Sequence, residues 1–219
     1  MIKAVFFDFN GTLYFDQDIN KITWNQTIDA LSKNKIDFEP FYNKYKSVMD
    51  YIVIEDAFKL INKPYTKEEV EYWVNYKENR YRQYGIDHNR TVLPPGAEKL
   101  LDFLKKKDIP AILCTSSIIE NVEYYYKYFN LSKWFNFEQT VYDTGEYNSK
   151  AQMYIECAKR LNVSIKDGIV FEDSPTSIRQ AIDGGVNKVV AIKRNDTPDL
   201  KEIIQVINDF TELDYSIFD

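Results

Sequence analysis

The feature that most restricts the fold is a short apolar run at the start of the chain. Ile2, Ala4, Val5, Phe6 and Phe7 are nearly continuous, and the run stops abruptly at Asp8-Phe9-Asn10-Gly11-Thr12. A strand that is apolar on both sides of its pleat must be covered on both faces, which puts it inside a sheet. Similar runs recur at Ile109–Cys114 and Gly168–Phe171, and each ends in polar residues, Thr115-Ser116 and Glu172-Asp173. Between and after them the pattern reads as helices over Ala97–Lys107, Ile118–Tyr128 and Lys150–Leu161, and one opened by Pro175 at its first turn. Phe135–Tyr142 and Val189–Ile192 read as further strands, and Leu200–Phe210 as a final helix. This alternation predicts an open, mostly parallel α/β sheet.

One long stretch breaks the alternation. From about Tyr14 to Arg90 the pattern is helical, with pieces over Lys21–Asn34 and Phe41–Leu60 joined at Asp37-Phe38-Glu39-Pro40. Asn62-Lys63-Pro64 marks another join, and Thr66 with Glu69 forms a capping-box signature for a helix running to about Tyr84. The expected organisation is therefore a core of residues 1–14 and 91–219 interrupted by an all-helical insert over 15–90. The insert carries thirteen acidic and twelve basic side chains between Asp16 and Arg90, so it is almost neutral. Its aromatics, Tyr42, Tyr45, Tyr51, Phe58, Tyr72, Trp73, Tyr76, Tyr81 and Tyr84, are expected on packed helix faces.

Composition excludes several function classes. A chain of 219 residues can bury roughly 70% of its unfolded surface, so no metal or disulfide is needed as a staple. With 28 basic against 34 acidic side chains, the net charge of −6 gives no support for nucleic acid as a partner. Cys114, Cys157 and the single His88 cannot assemble a structural zinc site. The cysteines are expected to be small buried side chains and His88 to carry no role. No run approaches the roughly 18 apolar residues of a membrane span, and the start lacks the features of a secretory peptide. These points predict a soluble, reducing, cytoplasmic setting without a membrane partner.

In an open parallel sheet, functional groups collect beyond the carboxyl ends of the strands. Asp8, Thr115-Ser116 and Glu172-Asp173 all end strands in this way, and the helix beginning near Ile118 would point its positive end at the same crevice. The ordered set DFNGTL, CTSS, Lys150 and FEDS resembles the four signatures of haloacid dehalogenase-like hydrolases, and the resemblance spans almost the whole chain. It implies a Rossmann-like core with the helical insert as a cap over the crevice. It also implies a nucleophilic Asp8 that forms an aspartyl-phosphate, and Mg²⁺ held by Asp8, the Asn10 backbone carbonyl and Asp173, with Glu172 as a direct or water-mediated helper. Thr115 and Lys150 would serve catalysis, and Gly11, Thr115, Ser116 and Lys150 would contact phosphate. Oxygen donors suit such a hard cation.

One residue departs from the family pattern. Asn10 stands where the family usually has a second aspartate acting as general acid and base, and an amide cannot transfer a proton as a carboxyl does. The expected activity is Mg²⁺-dependent hydrolysis of a small phosphorylated metabolite, such as a sugar phosphate, with turnover impaired at Asn10. The alternatives are a phosphomutase, a metal-independent 2-haloacid dehalogenase, and a protein that binds a phosphorylated ligand without efficient catalysis. Glu172, Asp16 and Asp18 are conceivable substitutes for the missing acid and base. Arg80, Arg82 and Arg90 read mainly as surface charges, and the assembly is expected to be a monomer or weak homodimer.

Overall fold

The computed structural model describes residues 2–45 and 49–219. In chain order, β1 (Ala4–Phe7) is followed by α1 (Gln17–Ser32), α2 (Phe38–Tyr45), α3 (Asp50–Leu60) and α4 (Lys67–Asp87). Then come α5 (Ala97–Lys106), β2 (Ala111–Leu113), α6 (Ile119–Tyr128), α7 (Lys150–Arg160), β3 (Gly168–Glu172), α8 (Pro175–Asp183), β4 (Val189–Ile192) and β5 (Ile203–Ile207). The chain divides into two compact units, Met1–Phe15 with Thr91–Asp219, and Asp16–Arg90. No described helix is long and apolar enough to cross a membrane.

The first unit is built on a five-stranded sheet in the order β2-β1-β3-β4-β5, with every neighbouring pair parallel. β1 has strands on both sides and all four of its residues are buried, which is why its sequence is apolar without alternation. On one face Phe6, Ile112, Cys114 and Val170 pack with Met153, Tyr154 and Cys157 of α7 and Ile178 and Ala181 of α8. On the other, Phe7 stacks on Phe171 at 4.8 Å and meets Phe135 edge-on at 5.9 Å. Each phenylalanine taken fully out of water contributes roughly 1.5–3 kcal/mol, so this layer is a large share of the driving force. The two cysteines are free and buried, as expected of small apolar side chains.

The expected Rossmann-like architecture is present, but two of its elements differ. Phe135–Tyr142 is not a strand: Asn136 accepts a hydrogen bond from the Glu138 amide at 3.0 Å and starts a short 3-10 turn over Phe137–Gln139. Only Val141 pairs, as an isolated parallel bridge to Cys114. The aromatic content there serves core packing through Phe135. Leu200–Phe210 is not a helix, since Ile203–Ile207 forms β5 beside β4. Its β-branched residues keep their preferred rotamers more easily on a pleat, and Ile204 and Val206 face outward on this end strand of the sheet.

The second unit is helical. Trp24, Ile28, Leu31, Phe41, Ile54 and Phe58 lie in its core. The Phe41–Leu60 expectation resolves into α2 and α3, and its residues 46–48 lie outside the described ones. α2 starts at Phe38 because Pro40 falls in its first turn, where no intrahelical N–H bond is lost. Both halves of the capping box form at α4: the Glu69 amide donates to Thr66 Oγ1 at 3.2 Å and the Thr66 amide to Glu69 Oε2 at 3.0 Å. Tyr45, Phe58 and Tyr81 are buried as expected, but Tyr51 and Tyr72 are exposed. The buried stripe of α3 runs through Val53, Ile54, Ala57 and Phe58, which leaves Tyr51 on the opposite side.

Candidate active site

The sheet register brings distant polar residues to one edge. Phe7 lies opposite Leu113 on one side and Phe171 on the other, so the next residues, Asp8, Cys114 and Glu172, lie side by side at the carboxyl end of the sheet. The Asp8 amide donates to Phe171 O at 3.0 Å and the Cys114 amide to Phe7 O at 2.8 Å, which fixes the strand ends at this point. Thr115 and Asp173 follow immediately and are buried.

Lys150 reaches the same place from the first residue of α7, whose N-cap Ser149 accepts from the Gln152 amide at 3.4 Å. Its Nζ donates to Asp8 Oδ1 at 2.5 Å and to Cys114 O at 2.8 Å, with both side chains of the pair 7% exposed. Burial opposes the charge on this ammonium, but the field of Asp8, with Cys114 and Glu172, outweighs it and holds Lys150 above the ordinary lysine range. Lys150 is thus a fixed cation at neutral pH.

Asp8, Glu172 and Asp173 each offer a carboxylate oxygen within 4.8 Å of the others, and all three are buried. Tyr154 donates its hydroxyl to Glu172 Oε2 at 3.1 Å. Burial, and then the adjacent Asp8 and Asp173 carboxylates, push Glu172 well above the usual carboxylate range despite Lys150. Three acids packed this closely repel one another unless a cation joins them. An all-oxygen, anionic, buried donor set is what a hard divalent ion requires, so these residues could hold one.

Gly11 serves the same cluster. Its φ is +82°, and a Cβ there would collide with the Asp173 carboxylate, so a side chain is excluded both by conformation and by space. Gly11→Ala is expected to cost about 1–3 kcal/mol from the left-handed backbone and to displace Asp173. Calorimetric titration with Mg²⁺ should show weakened binding, and unchanged affinity would mean that Asp173 does not hold the ion.

Asn10 does not stand alone in the loop. Its Oδ1 accepts from Ser117 Oγ at 2.8 Å and Thr115 Oγ1 at 3.4 Å, while the Tyr125 hydroxyl lies 3.0 Å from Nδ2 and 3.1 Å from Oδ1. The Thr115 hydroxyl shares its one proton between Asn10 Oδ1 and Ser117 Oγ, the latter at 3.0 Å, and its oxygen accepts from the Ser117 amide at 3.1 Å. Tyr125 is positioned by stacking on Phe9, with ring centroids 4.1 Å apart. The amide is therefore held by three hydroxyl groups.

Ser116 is exposed, and its Oγ is 4.0 Å from Met153 Sδ. It does not cap α6: the N-cap is Ile118, without a side-chain cap bond. Ser174 does cap α8, accepting from the Ser177 amide at 3.5 Å. In the helical unit, Tyr81 donates to Asp16 at 2.5 Å, and Arg90 pairs with Asp18 at 2.7 Å. That hydrogen bond holds the Asp18 carboxyl below its ordinary range. Arg80 donates to Gln26 and Arg82 to Asn79, in keeping with surface charges. His88 stacks on Tyr84 at 3.9 Å.

Three residues at this edge were not anticipated from sequence. Ser117 and Tyr125 surround Asn10, and Arg194 Nη1 pairs with Asp173 Oδ2. Arg194 carried a usable signal, because it stands two residues past the buried strand β4, near a strand end like Asp8 after β1. Tyr125 carried none, being one aromatic among several on α6.

Parallel sheet, strand-end carboxylates and a buttressing lysine define a Rossmann-like α/β core with a candidate catalytic site at the strand ends. Residues 2–185 match the haloacid dehalogenase-like hydrolase family, and the chain belongs to it. A HAD hydrolase of family IA, variant 3, from Entamoeba histolytica HM-1:IMSS is 27% identical over 98% of this chain and 96% of its own, with a TM-score of 0.86. A β-phosphoglucomutase from Clostridium difficile is 22% identical, covering 100% and 96%, with a TM-score of 0.78. A CbbY aspartate-to-asparagine mutant from Rhodobacter sphaeroides, in complex with xylulose-(1,5)bisphosphate, is 19% identical, covering 97% and 96%, with a TM-score of 0.79. The last two share the fold with this chain.

Proposed function

We propose that the protein hydrolyses a small phosphate monoester, with a sugar phosphate as the favoured class, in a Mg²⁺-dependent reaction through an aspartyl-phosphate on Asp8. The observation that carries this is the buried Lys150 ammonium 2.5 Å from Asp8 Oδ1, set within the trio of Asp8, Glu172 and Asp173. Likeness to a phosphoglucomutase and to a protein holding a sugar bisphosphate supports the substrate class.

Asp8, Asp173 and the Asn10 carbonyl would hold the Mg²⁺, with Glu172 directly or through water, and the bound ion supplies Lewis-acid charge to the phosphoryl group. With Oδ1 engaged by Lys150, the other oxygen of Asp8 attacks phosphorus, and the bond to the leaving oxygen breaks, that oxygen taking its proton from solvent water. A water molecule then attacks the phosphorus of the aspartyl-phosphate and gives up its proton to solvent, which releases inorganic phosphate and regenerates the Asp8 carboxylate. Lys150 offsets charge and orients Asp8, while the Thr115 hydroxyl and the Ser116 amide donate to the phosphoryl oxygens; the Gly11 amide, expected to contact phosphate, is instead taken by Tyr14 O at 2.7 Å. Asn10 holds its partners by hydrogen bonds but moves no proton, so departure of the alcohol and activation of water are the slow points.

Retention of a phosphorylated ligand with little turnover is the second reading, favoured by the hydroxyl network around the Asn10 amide. The ligand in either case is a small metabolite, and the protein acts as a monomer or weak homodimer. A panel of sugar phosphates and an aryl phosphate, assayed for phosphate release with Mg²⁺ and again with EDTA, tests the proposal. Release that EDTA abolishes is expected. Saturable binding without release would favour the second reading, and halide release from a 2-haloacid without a divalent ion would replace both.

A further inference from the structure

Asp173 sits between two claims on one carboxylate. Its Oδ1 is 3.5 Å from Thr12 Oγ1, and its Oδ2 pairs with the guanidinium of Arg194. The two partners differ in freedom. The Asp173 side chain is 4% exposed and hemmed in by Gly11, whereas the Arg194 side chain is 40% exposed. Apart from its pair with Asp173, Arg194 is held through its backbone: its amide donates to Thr197 Oγ1 at 2.7 Å, and its carbonyl accepts from that hydroxyl at 3.0 Å. The guanidinium can thus swing into solvent while the strand end stays in place.

We infer that Arg194 is a built-in counter-ion that competes with the divalent cation for Asp173. This rests on the metal-dependent reading above. When no ion is bound, Arg194 offsets one of three crowded carboxylates. An ion taken up on the Asp173 oxygen that Arg194 holds displaces the guanidinium, so the ion pair is subtracted from metal affinity, and by linkage the metal weakens the ion pair equally. Arg194 is a positioning residue here, acting through Asp173 and touching no reacting atom.

The test is calorimetric titration of EDTA-treated protein with MgCl₂ and MnCl₂ at fixed ionic strength. Arg194→Gln should bind each ion more tightly than the wild type, on the order of tenfold for a coupling of ordinary size, with Arg194→Lys in between. Equal or weaker affinity in a folded Arg194→Gln would overturn the inference. A second measurement needs no fold-sensitive comparison. The guanidinium ¹⁵Nε resonance of Arg194, identified by its loss in Arg194→Lys, should shift as wild-type protein is saturated with Mg²⁺. An unmoved resonance at saturation would also overturn it. If neither wild type nor variant binds a divalent ion, the metal-dependent function itself fails, a result distinct from bound metal with unaltered affinity.

Discussion

Asp8→Asn should abolish phosphoenzyme formation and lower phosphatase turnover by about 10⁴-fold or more, as expected when an activated nucleophile is removed. The amide keeps nearly the same shape and can still accept from Lys150 Nζ, now 2.5 Å from Asp8 Oδ1, but it lacks the negative oxygen that attacks phosphorus. Stability receives two opposed changes. Lys150 loses the charge that compensates its burial, while Glu172 and Asp173 lose a repelling neighbour. Intact-mass analysis after brief exposure to substrate separates chemistry from folding. A covalent phosphoryl adduct on the folded variant, with hydrolysis retained, would remove Asp8 from its proposed role.

Asn10→Asp should act in the opposite direction, raising turnover of alkyl phosphate esters by about 10²–10⁴-fold, the usual worth of a general acid and base. The surroundings can accept the change. Ser117 Oγ and Thr115 Oγ1 already donate to Oδ1, and the Tyr125 hydroxyl, 3.0 Å from Nδ2, can turn to donate to the new oxygen. Hydroxyl donors favour the charged carboxylate, which suits it to activating water, and the proton it takes from water in one turnover is the one it gives to the leaving oxygen in the next. The gain should be greatest for poor leaving groups and small for an aryl phosphate, whose oxygen leaves without a proton. Turnover that is unchanged across a series of leaving groups would show that another group already moves the proton.

Much of the fold could be read from local pattern. β1, β3 and β4 announce themselves because a strand buried on both faces has no polar alternate positions, and the Thr66–Glu69 pair predicts the start of α4 within one turn. The failures are equally physical. Ile203–Ile207 is apolar apart from Gln205 over a length that suits either a helix or a strand, and only its place beside β4 decides between them. Phe135–Tyr142 is rich in strand-forming residues, yet it turns at Asn136 and contributes a single bridge. Tyr51 and Tyr72 show that aromatic content does not reveal which side of a helix is covered.

The chain by itself determined the parallel α/β architecture, the helical interruption after the first strand, and the polar residues that end each buried strand. These depend on the burial of neighbouring residues along one segment, and periodicity records that directly. Tertiary structure alone decided the partnerships: Lys150 on Asp8 across 142 positions, the hydroxyls of Ser117 and Tyr125 on Asn10, and Arg194 on Asp173. They arise from strand register and from how helices seat on the sheet, which bring together residues that share no local signal. A side chain's segment sets whether it is buried, but its charge is answered by whatever the fold places beside it.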